Sequence, residues 1–254
     1  MLLAVDIGNT NIKFGIFDGA ELIRTLTISC IENKTSDEYS VEIYSLIRVM
    51  GIHRVDFDGC IISSVVPTVT KRICDAVRDL LNIEALTVGP GVKTGLNIRI
   101  EDPSTLGADL VAACVAANAE FPAPCIVISM GTATVMCVID KDKAMIGGPI
   151  APGVMVSLNA LTGNAALLIS VALDAPESVI GNNTDRSIRS GVVWGNACMI
   201  DGMIDKIEKE LGSKCSILAT GGMANSIIRH CSHDIVIRDD LIMQGLRMIY
   251  EKNR

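Results

Sequence analysis

The chain has 254 residues, of which 49% are hydrophobic and 20% are charged, and its net charge is −7. This composition supports one or two packed cores and excludes a disordered protein. The acidic charge and the aromatic content of only 3% argue against a nucleic-acid-binding protein and against an anionic membrane surface as a partner.

The first half of the chain alternates short strands with helices. Strands are predicted at Leu2–Val5, Ile12–Phe17, Leu22–Ser29, Gly59–Val66 and Ala85–Val88, and helices at Ser36–Met50, Val69–Leu81 and Gly107–Glu120. Asp18-Gly19 is a hairpin signal between the second and third strands. Thr35 and Ser36 are candidate caps of the first helix.

The same pattern begins again after residue 121. Strands are predicted at Cys125–Ser129, Val135–Ile139 and Ser216–Ala219, and a long helix at Ser190–Leu211. The segments AVDIGNTNIKFGIF and VISMGTATVMCVI share a strand, a glycine-containing polar turn and a second strand. This repetition predicts an internal duplication, with one lobe at 1–121 and the other at 122–254.

The cysteines, the N-terminal segment and the uncharged stretch indicate the cellular compartment of the protein. Nine cysteines, an odd number with no CxxC pair, predict free thiols and a cytoplasmic protein. The segment HCSH at 230–233 lacks a second ligand pair, so no metal-ligating residue is predicted. An acid at Asp6 argues against a signal peptide. The uncharged stretch 144–173 is interrupted by glycine and proline, which argues against a membrane span.

The first motif with chemical potential is the polar turn DIGNTN at 6–11. Successive backbone N–H groups in such a turn can bind anions, and Gly8 would let a phosphate approach the backbone. Asp6 at a strand end could hold Mg²⁺, and Lys13 could neutralise a phosphate. The alternative is an ordinary polar hairpin turn in which Asp6 accepts turn hydrogen bonds.

Two further motifs extend this hypothesis. The turn Gly131–Thr134 matches the first turn, and two phosphate-binding turns suit a nucleoside triphosphate, although the chain has no GxxxxGK[ST] segment. Asp109 begins an Ala-rich helix, where it is either a helix-terminal acid or a base for a substrate hydroxyl. The segment ATGG at 219–222 could lie against a flat ring, or could be a plain strand-to-helix turn.

Taken together, these motifs resemble those of the type III pantothenate kinases. The matching segments are DIGNTN at 6–11, VGPGVKTGLNI at 88–98, GAD at 107–109, MGTAT at 130–134, GGPIAPG at 147–153 and ATGGMA at 219–224. The resemblance implies an α/β, duplicated actin-like (ribonuclease H-like) two-lobed fold of the acetate/sugar kinase–Hsp70–actin superfamily. It also implies a homodimer that phosphorylates a small molecule, pantothenate, with ATP, Mg²⁺ and a monovalent cation such as K⁺, as the first step of coenzyme A biosynthesis.

The resemblance also assigns roles to individual residues. It implies that Asp109 is the general base. The residues implied to contact the ATP phosphates are Asp6, Ile7, Gly8, Asn9, Thr10, Asn11, Ile12, Lys13 and Thr132. The residues implied to contact pantothenate are Gly107, Ala108, Asp109, Leu110 and Thr184.

Several positions depart from the family pattern. Leu110 stands where the family has an arginine, and Ala113 where it has an asparagine. Ser129-Met130 replaces an Asp-Phe pair whose aspartate is a cation ligand, and Ile100 replaces an aromatic residue. Three charged residues of the family are replaced by Asn159, Asn164 and Leu167. These departures keep two alternatives open. One is a non-catalytic ligand-binding or regulatory homologue with the same fold, and the other is a kinase for a different, more apolar hydroxyl substrate.

Overall fold

The computed structural model describes residues 1–163 and 173–254, which form two compact units. The first unit comprises Met1–Leu96, Asp102–Ala116 and Leu241–Arg254, and the second comprises Asn97–Glu101 and Ala117–Asp240. The C-terminal segment, which the predicted 122–254 lobe includes, therefore packs in the first unit. It does so because its apolar face lies against the central strands there.

The described residues contain the following regular elements. The strands are β1 (Leu2–Ile7), β2 (Asn11–Asp18), β3 (Glu21–Ser29), β4 (Gly59–Ser64), β5 (Leu86–Thr87), β6 (Asn97–Ile98), β7 (Cys125–Met130), β8 (Ala133–Ile139), β9 (Ala144–Gly147), β10 (Ile150–Pro152), β11 (Ser216–Thr220) and β12 (Val236–Ile237). The helices are α1 (Ser36–Val49), α2 (Pro67–Leu81), α3 (Ala108–Glu120), α4 (Val154–Gly163), α5 (Thr184–Leu211), α6 (Ala224–Ile227) and α7 (Leu241–Asn253). None of these helices is long and apolar enough to cross a membrane.

The two sheets repeat one topology. In the first unit the strand order is β3-β2-β1-β4-β5, with β1 antiparallel to β2 and parallel to β4. In the second unit β9-β8-β7-β11-β12 follows the same order, with β7 antiparallel to β8 and parallel to β11. Strand β6 extends the second sheet beside β9, and β10 pairs with β8. The repeated topology confirms the predicted duplication.

Helix α1 shows how local sequence sets an element. The Thr35 hydroxyl accepts a hydrogen bond from the Glu38 N–H at 3.2 Å, and the Glu38 carboxylate accepts one from the Thr35 N–H at 2.7 Å. This capping box confirms Thr35 as the predicted cap. Tyr39, Ile43 and Ile47, spaced four residues apart, are buried in the core of the first unit, as an amphipathic helix requires.

Helix α5 begins earlier than the sequence predicts. It starts at Thr184 rather than Ser190. The Asn183 side chain accepts a hydrogen bond from the Arg186 N–H at 2.9 Å and so caps the first turn. This cap brings Thr184, one of the predicted substrate residues, to the N-terminus of a helix.

Close packing between α7 and α3 depends on Gly245. A Cβ atom added at Gly245 would lie 1.8 Å from the Ala112 carbonyl oxygen, so the two helix backbones would have to separate. We expect Gly245→Ala to destabilise the protein by about 1–3 kcal/mol, measured by urea unfolding.

Gly202→Ala is the matched control for this substitution, because a Cβ at Gly202 in α5 meets no atom within 4 Å. It should stabilise the protein by about 1 kcal/mol through helix propensity alone. Equal gains from both substitutions would contradict the close contact at Gly245.

Candidate active site

Asp6 lies at the carboxyl end of β1, between two polar neighbours. The strand register places Lys13 of β2 on one side of it and Ser63 of β4 on the other. The Ser63 hydroxyl, which is fully buried, donates a 3.0 Å hydrogen bond to Asp6 Oδ1. The Asp6 carboxylate therefore has a fixed orientation. Sequence reasoning did not single out Ser63, although its position near the end of a buried apolar strand was a usable signal.

Asp109 lies in the first turn of α3. The Gly107 carbonyl accepts a hydrogen bond from the Val111 N–H at 3.0 Å and so begins the helix. A Cβ at Gly107 would lie only 2.4 Å from Asp109 Oδ1. The glycine therefore leaves room for the carboxylate to fold back over the helix start. A carboxylate there is favoured by the free N–H groups and the dipole of the helix N-terminus.

The negative charge of Asp109 acts on the carboxyl group of Asp6. Burial, and then the negative charge of Asp109, raises the pKa of Asp6 to about 6, against the opposing effects of Ser63 and Lys13. Burial also raises the pKa of Asp109, whereas the backbone N–H groups of Leu110 and Asp109 oppose that rise. The first unit therefore concentrates two partly buried acids in one place, an arrangement that is common at catalytic sites.

The turn between β1 and β2 is closed by its own backbone. The Gly8 N–H donates a 3.0 Å hydrogen bond to the Asn11 carbonyl, and a Cβ at Gly8 would lie 3.3 Å from that oxygen. Asn9 and Thr10 at the tip are exposed. Exposed polar residues on a tight, glycine-containing turn are compatible with an anion-binding turn.

The residues that flank this turn differ in what they can offer a ligand. Ile7 and Ile12 pair across the hairpin, and both side chains are fully buried in the core. Only their backbone groups could therefore reach a phosphate. Lys13 is half-buried and, as the register partner of Asp6, projects on the same face of the sheet.

The second unit contains the matching turn between β7 and β8. The Gly131 N–H donates a 3.0 Å hydrogen bond to the Ala133 carbonyl, and the Thr132 carbonyl accepts one from the Gly153 N–H at 3.1 Å. A Cβ at Gly153 would lie 2.4 Å from the Gly131 and Thr132 carbonyl oxygens. The turn at Thr132 is thus held in place by the segment that enters α4.

Ser129 holds the position in the second unit that Asp6 holds in the first. Each is the penultimate residue of its central strand, and each faces a buried hydroxyl residue on the parallel neighbour, Thr220 for Ser129 and Ser63 for Asp6. The duplicated site therefore carries a carboxylate in the first unit and a hydroxyl in the second.

Comparison with known proteins identifies the family. Residues 2–206 match the family model of type III pantothenate kinase. A type III pantothenate kinase of Exiguobacterium sp. is 39% identical over 254 residues, and one of Shouchella clausii is 40% identical over 256 residues, each pair matching over 100% of both chains. The chain belongs to the type III pantothenate kinase family.

Solved structures confirm the fold class. The ethanolamine utilization protein EutJ from Carboxydothermus hydrogenoformans superposes with a TM-score of 0.56 at 15% identity, covering 97% of this chain and 89% of that chain. The chain therefore has the duplicated actin-like, ribonuclease H-like α/β fold that the sequence predicts. The family match and the full-length relatives show that it is an enzyme of the pantothenate kinase type.

The remaining predicted site residues are placed as follows. Gly107, Ala108 and Leu110 adjoin Asp109 at the start of α3, and Leu110 is half-buried. Thr184 belongs to the second unit, where it lines a cavity of about 900 Å³ together with Asn183 and Ser187. Asn164 and Leu167 lie outside the described residues.

Proposed function

We propose that this type III pantothenate kinase family member transfers the γ-phosphoryl group of ATP to the hydroxyl group of pantothenate. The product is 4′-phosphopantothenate, and the reaction is the first step of coenzyme A biosynthesis. The observation that carries the proposal is the presence of two partly buried carboxyl groups, Asp6 and Asp109, in a chain that is similar over its full length to kinases of this type.

Asp109 is the general base in this proposal. Its carboxylate takes the proton of the substrate hydroxyl as that oxygen attacks the phosphorus atom, a role that carboxylates fill in phosphoryl transfer. Burial, which raises the pKa of Asp109, makes it a stronger base than an exposed aspartate. Because the base must be ionised, turnover should fall as the pH drops through this raised pKa.

Asp6 provides the position for Mg²⁺. Carboxylate and phosphate oxygens are the ligands that Mg²⁺ prefers. The raised pKa of Asp6 means that its ionised carboxylate is destabilised by its surroundings, and a bound divalent cation would relieve this. Bound Mg²⁺ would neutralise charge on the transferring phosphoryl group. The Ser63 hydroxyl orients the Asp6 carboxylate for this contact through its hydrogen bond to Oδ1.

Each of the two duplicated turns is proposed to contact ATP phosphates. In the first unit, the exposed backbone and side chains of Asn9, Thr10 and Asn11 offer hydrogen-bond donors, and Lys13 supplies positive charge. In the second unit Thr132 supplies a further contact. Ile7, Gly8 and Ile12 contribute through backbone geometry only, as the burial of the two isoleucine side chains requires.

The pantothenate contacts proposed in the first unit are Gly107, Ala108, Asp109 and Leu110. Thr184 is proposed as a pantothenate contact of the second unit. We further propose a cytoplasmic homodimer. In support, all nine cysteines are free thiols, and the second unit exposes large apolar side chains at Ile150, Val179 and Ile180, which a second copy could cover.

The dependence of turnover on monovalent cations tests the consequence of having Ser129, rather than a carboxylate, in the second unit. Since Ser129 lacks a carboxylate, we expect turnover to depend little on K⁺ over Na⁺, whereas Ser129→Asp should create a K⁺ preference. Initial rates at matched ionic strength in the two salts measure this. Ser213→Asp, an exposed position just beyond α5, is the control for added negative charge. A strong K⁺ requirement in the unmodified protein would contradict the expectation.

Product identification tests the proposed reaction. The purified full chain is incubated with ATP, Mg²⁺ and pantothenate, and the mixture is examined by mass spectrometry. A product one phosphoryl group heavier than pantothenate supports the proposal. Phosphorylation of a more apolar alcohol in preference to pantothenate would instead favour the alternative substrate class, for which half-buried Leu110 beside Asp109 is the supporting observation.

A further inference from the structure

A second cluster of ligand side chains lies in the second unit, away from every residue assigned above. Asp201, Asp205 and Glu208 occupy one face of α5, at spacings of four and three residues. His233 reaches this face from the loop that follows the short helical turn Ile228–His230. The four side chains are called the α5 cluster below.

Asp201 fixes the position and orientation of the histidine. Its carboxylate accepts hydrogen bonds from the N–H groups of Ser232 at 2.7 Å and His233 at 3.1 Å, and it lies 2.8 Å from His233 Nδ1. In the tautomer whose Nδ1–H donates to Asp201, Nε2 is the electron-pair donor. This carboxylate–histidine arrangement is the usual outer-shell support of a metal-binding imidazole.

His233 Nε2 points at further carboxylates. It lies 3.2 Å from Asp205 Oδ1, and ligand atoms of Asp205, Glu208 and His233 all lie within 4.8 Å of one another. Two ligands about 2.0–2.1 Å from a tetrahedral Zn²⁺ ion lie about 3.3 Å apart. The spacing between Nε2 and Asp205 therefore already suits two ligands of one ion.

His233 Nε2 and Asp205 Oδ1 face each other at 3.2 Å, a separation that a cation bound between them would bridge. The sequence HCSH at 230–233 drew attention to this loop, but only His233 joins the carboxylates. His230 instead packs edge-on against Trp194, and Cys231 Sγ lies near the carbonyl oxygens of Ala197 and Ile227.

Glu208 completes the set from the interior side. It is buried, and it accepts hydrogen bonds from Lys214 Nζ at 2.6 Å and from the Cys215 N–H at 3.0 Å. The Lys214 side chain is 83% exposed, so it can rotate into solvent when a cation occupies the site. Asp205 is 67% exposed and leaves a solvent-facing side through which an ion and a water ligand can enter.

We propose that the α5 cluster binds one divalent transition-metal ion, with Zn²⁺ as its representative, through His233 Nε2, Asp205 and Glu208. Asp201 acts as the positioning residue on Nδ1. One imidazole and two carboxylates are a ligand set suited to Zn²⁺ with an open fourth position. Bound metal would join α5 to the 231–233 loop and so stabilise the second unit.

Metal titration of the full chain tests this proposal. Chelator-treated protein is titrated with Zn²⁺ by calorimetry in excess Mg²⁺, which occupies the proposed ATP site. The variants are Asp205→Asn, His233→Gln and Asp201→Asn, and the control is Glu210→Gln, an exposed acid on the same helix. We expect one Zn²⁺ per chain, binding at least about tenfold weaker in the three cluster variants and unchanged in the control.

Co²⁺ substitution and thermal melting distinguish this site from adventitious binding by the nine thiols. Bound Co²⁺ should give the visible bands of four-coordinate nitrogen and oxygen ligation without a thiolate charge-transfer band. Zn²⁺ should raise the Tm of the unmodified protein but not that of Asp205→Asn. Because the Asp205 side chain is exposed, this substitution should not unfold the protein, so a missing Tm increase would reflect lost metal binding. Absence of stoichiometric binding, binding unaffected by Asp205→Asn and His233→Gln, or a thiolate band would each overturn the proposal.

Discussion

Asp109→Asn is expected to lower kcat about 10²- to 10⁴-fold, the range that a general base contributes. The amide keeps the shape and the helix-terminal position of the carboxylate but cannot accept the substrate proton. Because Asp109 is only partly buried, the fold should survive. Steady-state kinetics with circular dichroism on the same sample measure both quantities.

Asp79→Asn, an exposed acid on α2, is the matched control and should leave turnover unchanged. The pH profile adds a second readout. The unmodified enzyme should lose activity as the pH falls through the raised pKa of Asp109, and the residual activity of the variant should lack this limb. Unchanged turnover in Asp109→Asn would remove Asp109 as the base.

Asp6→Asn is expected to abolish Mg²⁺-dependent turnover and, at the same time, to stabilise the metal-free protein by up to about 3 kcal/mol at pH 7.5. The pKa of Asp6 is about 6 in the folded protein, against an ordinary value of 3.8. The folded state therefore holds the Asp6 proton up to a higher pH than the unfolded state does, and ionising Asp6 costs folding free energy.

The sign of this effect fixes its pH dependence. The penalty is absent below about pH 3.8, grows as the pH rises to about 6, and is fully present above that value. Urea unfolding of the two proteins without Mg²⁺ should therefore give similar stabilities near pH 4 and a more stable Asp6→Asn variant at pH 7.5. Asp18→Asn, an exposed acid at the end of β2, is the control. An Asp6→Asn variant that is less stable than the unmodified protein at pH 7.5 would contradict the raised pKa of Asp6.

The parts of the fold that could be predicted from sequence are those set by local pattern. The hairpin β1–β2 and its counterpart β7–β8 were visible because their polar turns interrupt apolar strands. The repeated order of these elements indicated a duplication, which the two sheets confirm. Thr35 could be named as a cap because capping chemistry involves residues only three apart.

The parts that could not be predicted depend on contacts between distant residues. Ser63 meets Asp6 only because β4 pairs in parallel with β1 at one register, 57 residues apart along the chain. Helix α7 was missed, as was its packing in the first unit, where the small residue Gly245 allows the close approach to Ala112. The HCSH segment drew attention to His233, but its carboxylate partners could not be predicted, because they lie about 30 residues earlier on a helix.

The electrostatic state of the site was equally hidden from the sequence. Asp6 and Asp109 were both singled out, but as separate motifs with separate roles. The topology of the first unit brings their charges close enough to raise the pKa of Asp6. The correspondence between Asp6 and Ser129, by contrast, was already present in the aligned repeats, and the strand registers explain it physically.

The measurement that tests the proposed function most directly is a coupled ADP-release assay, with pantothenate varied and ATP and Mg²⁺ saturating. It is applied to the unmodified protein and to the Leu110→Arg/Ser129→Asp double variant. We expect ADP release by the unmodified protein to rise with pantothenate and to saturate. Folded, unmodified protein that releases no ADP at any pantothenate concentration, while the double variant does, would contradict the proposed activity and show that the chemistry was lost at those two positions.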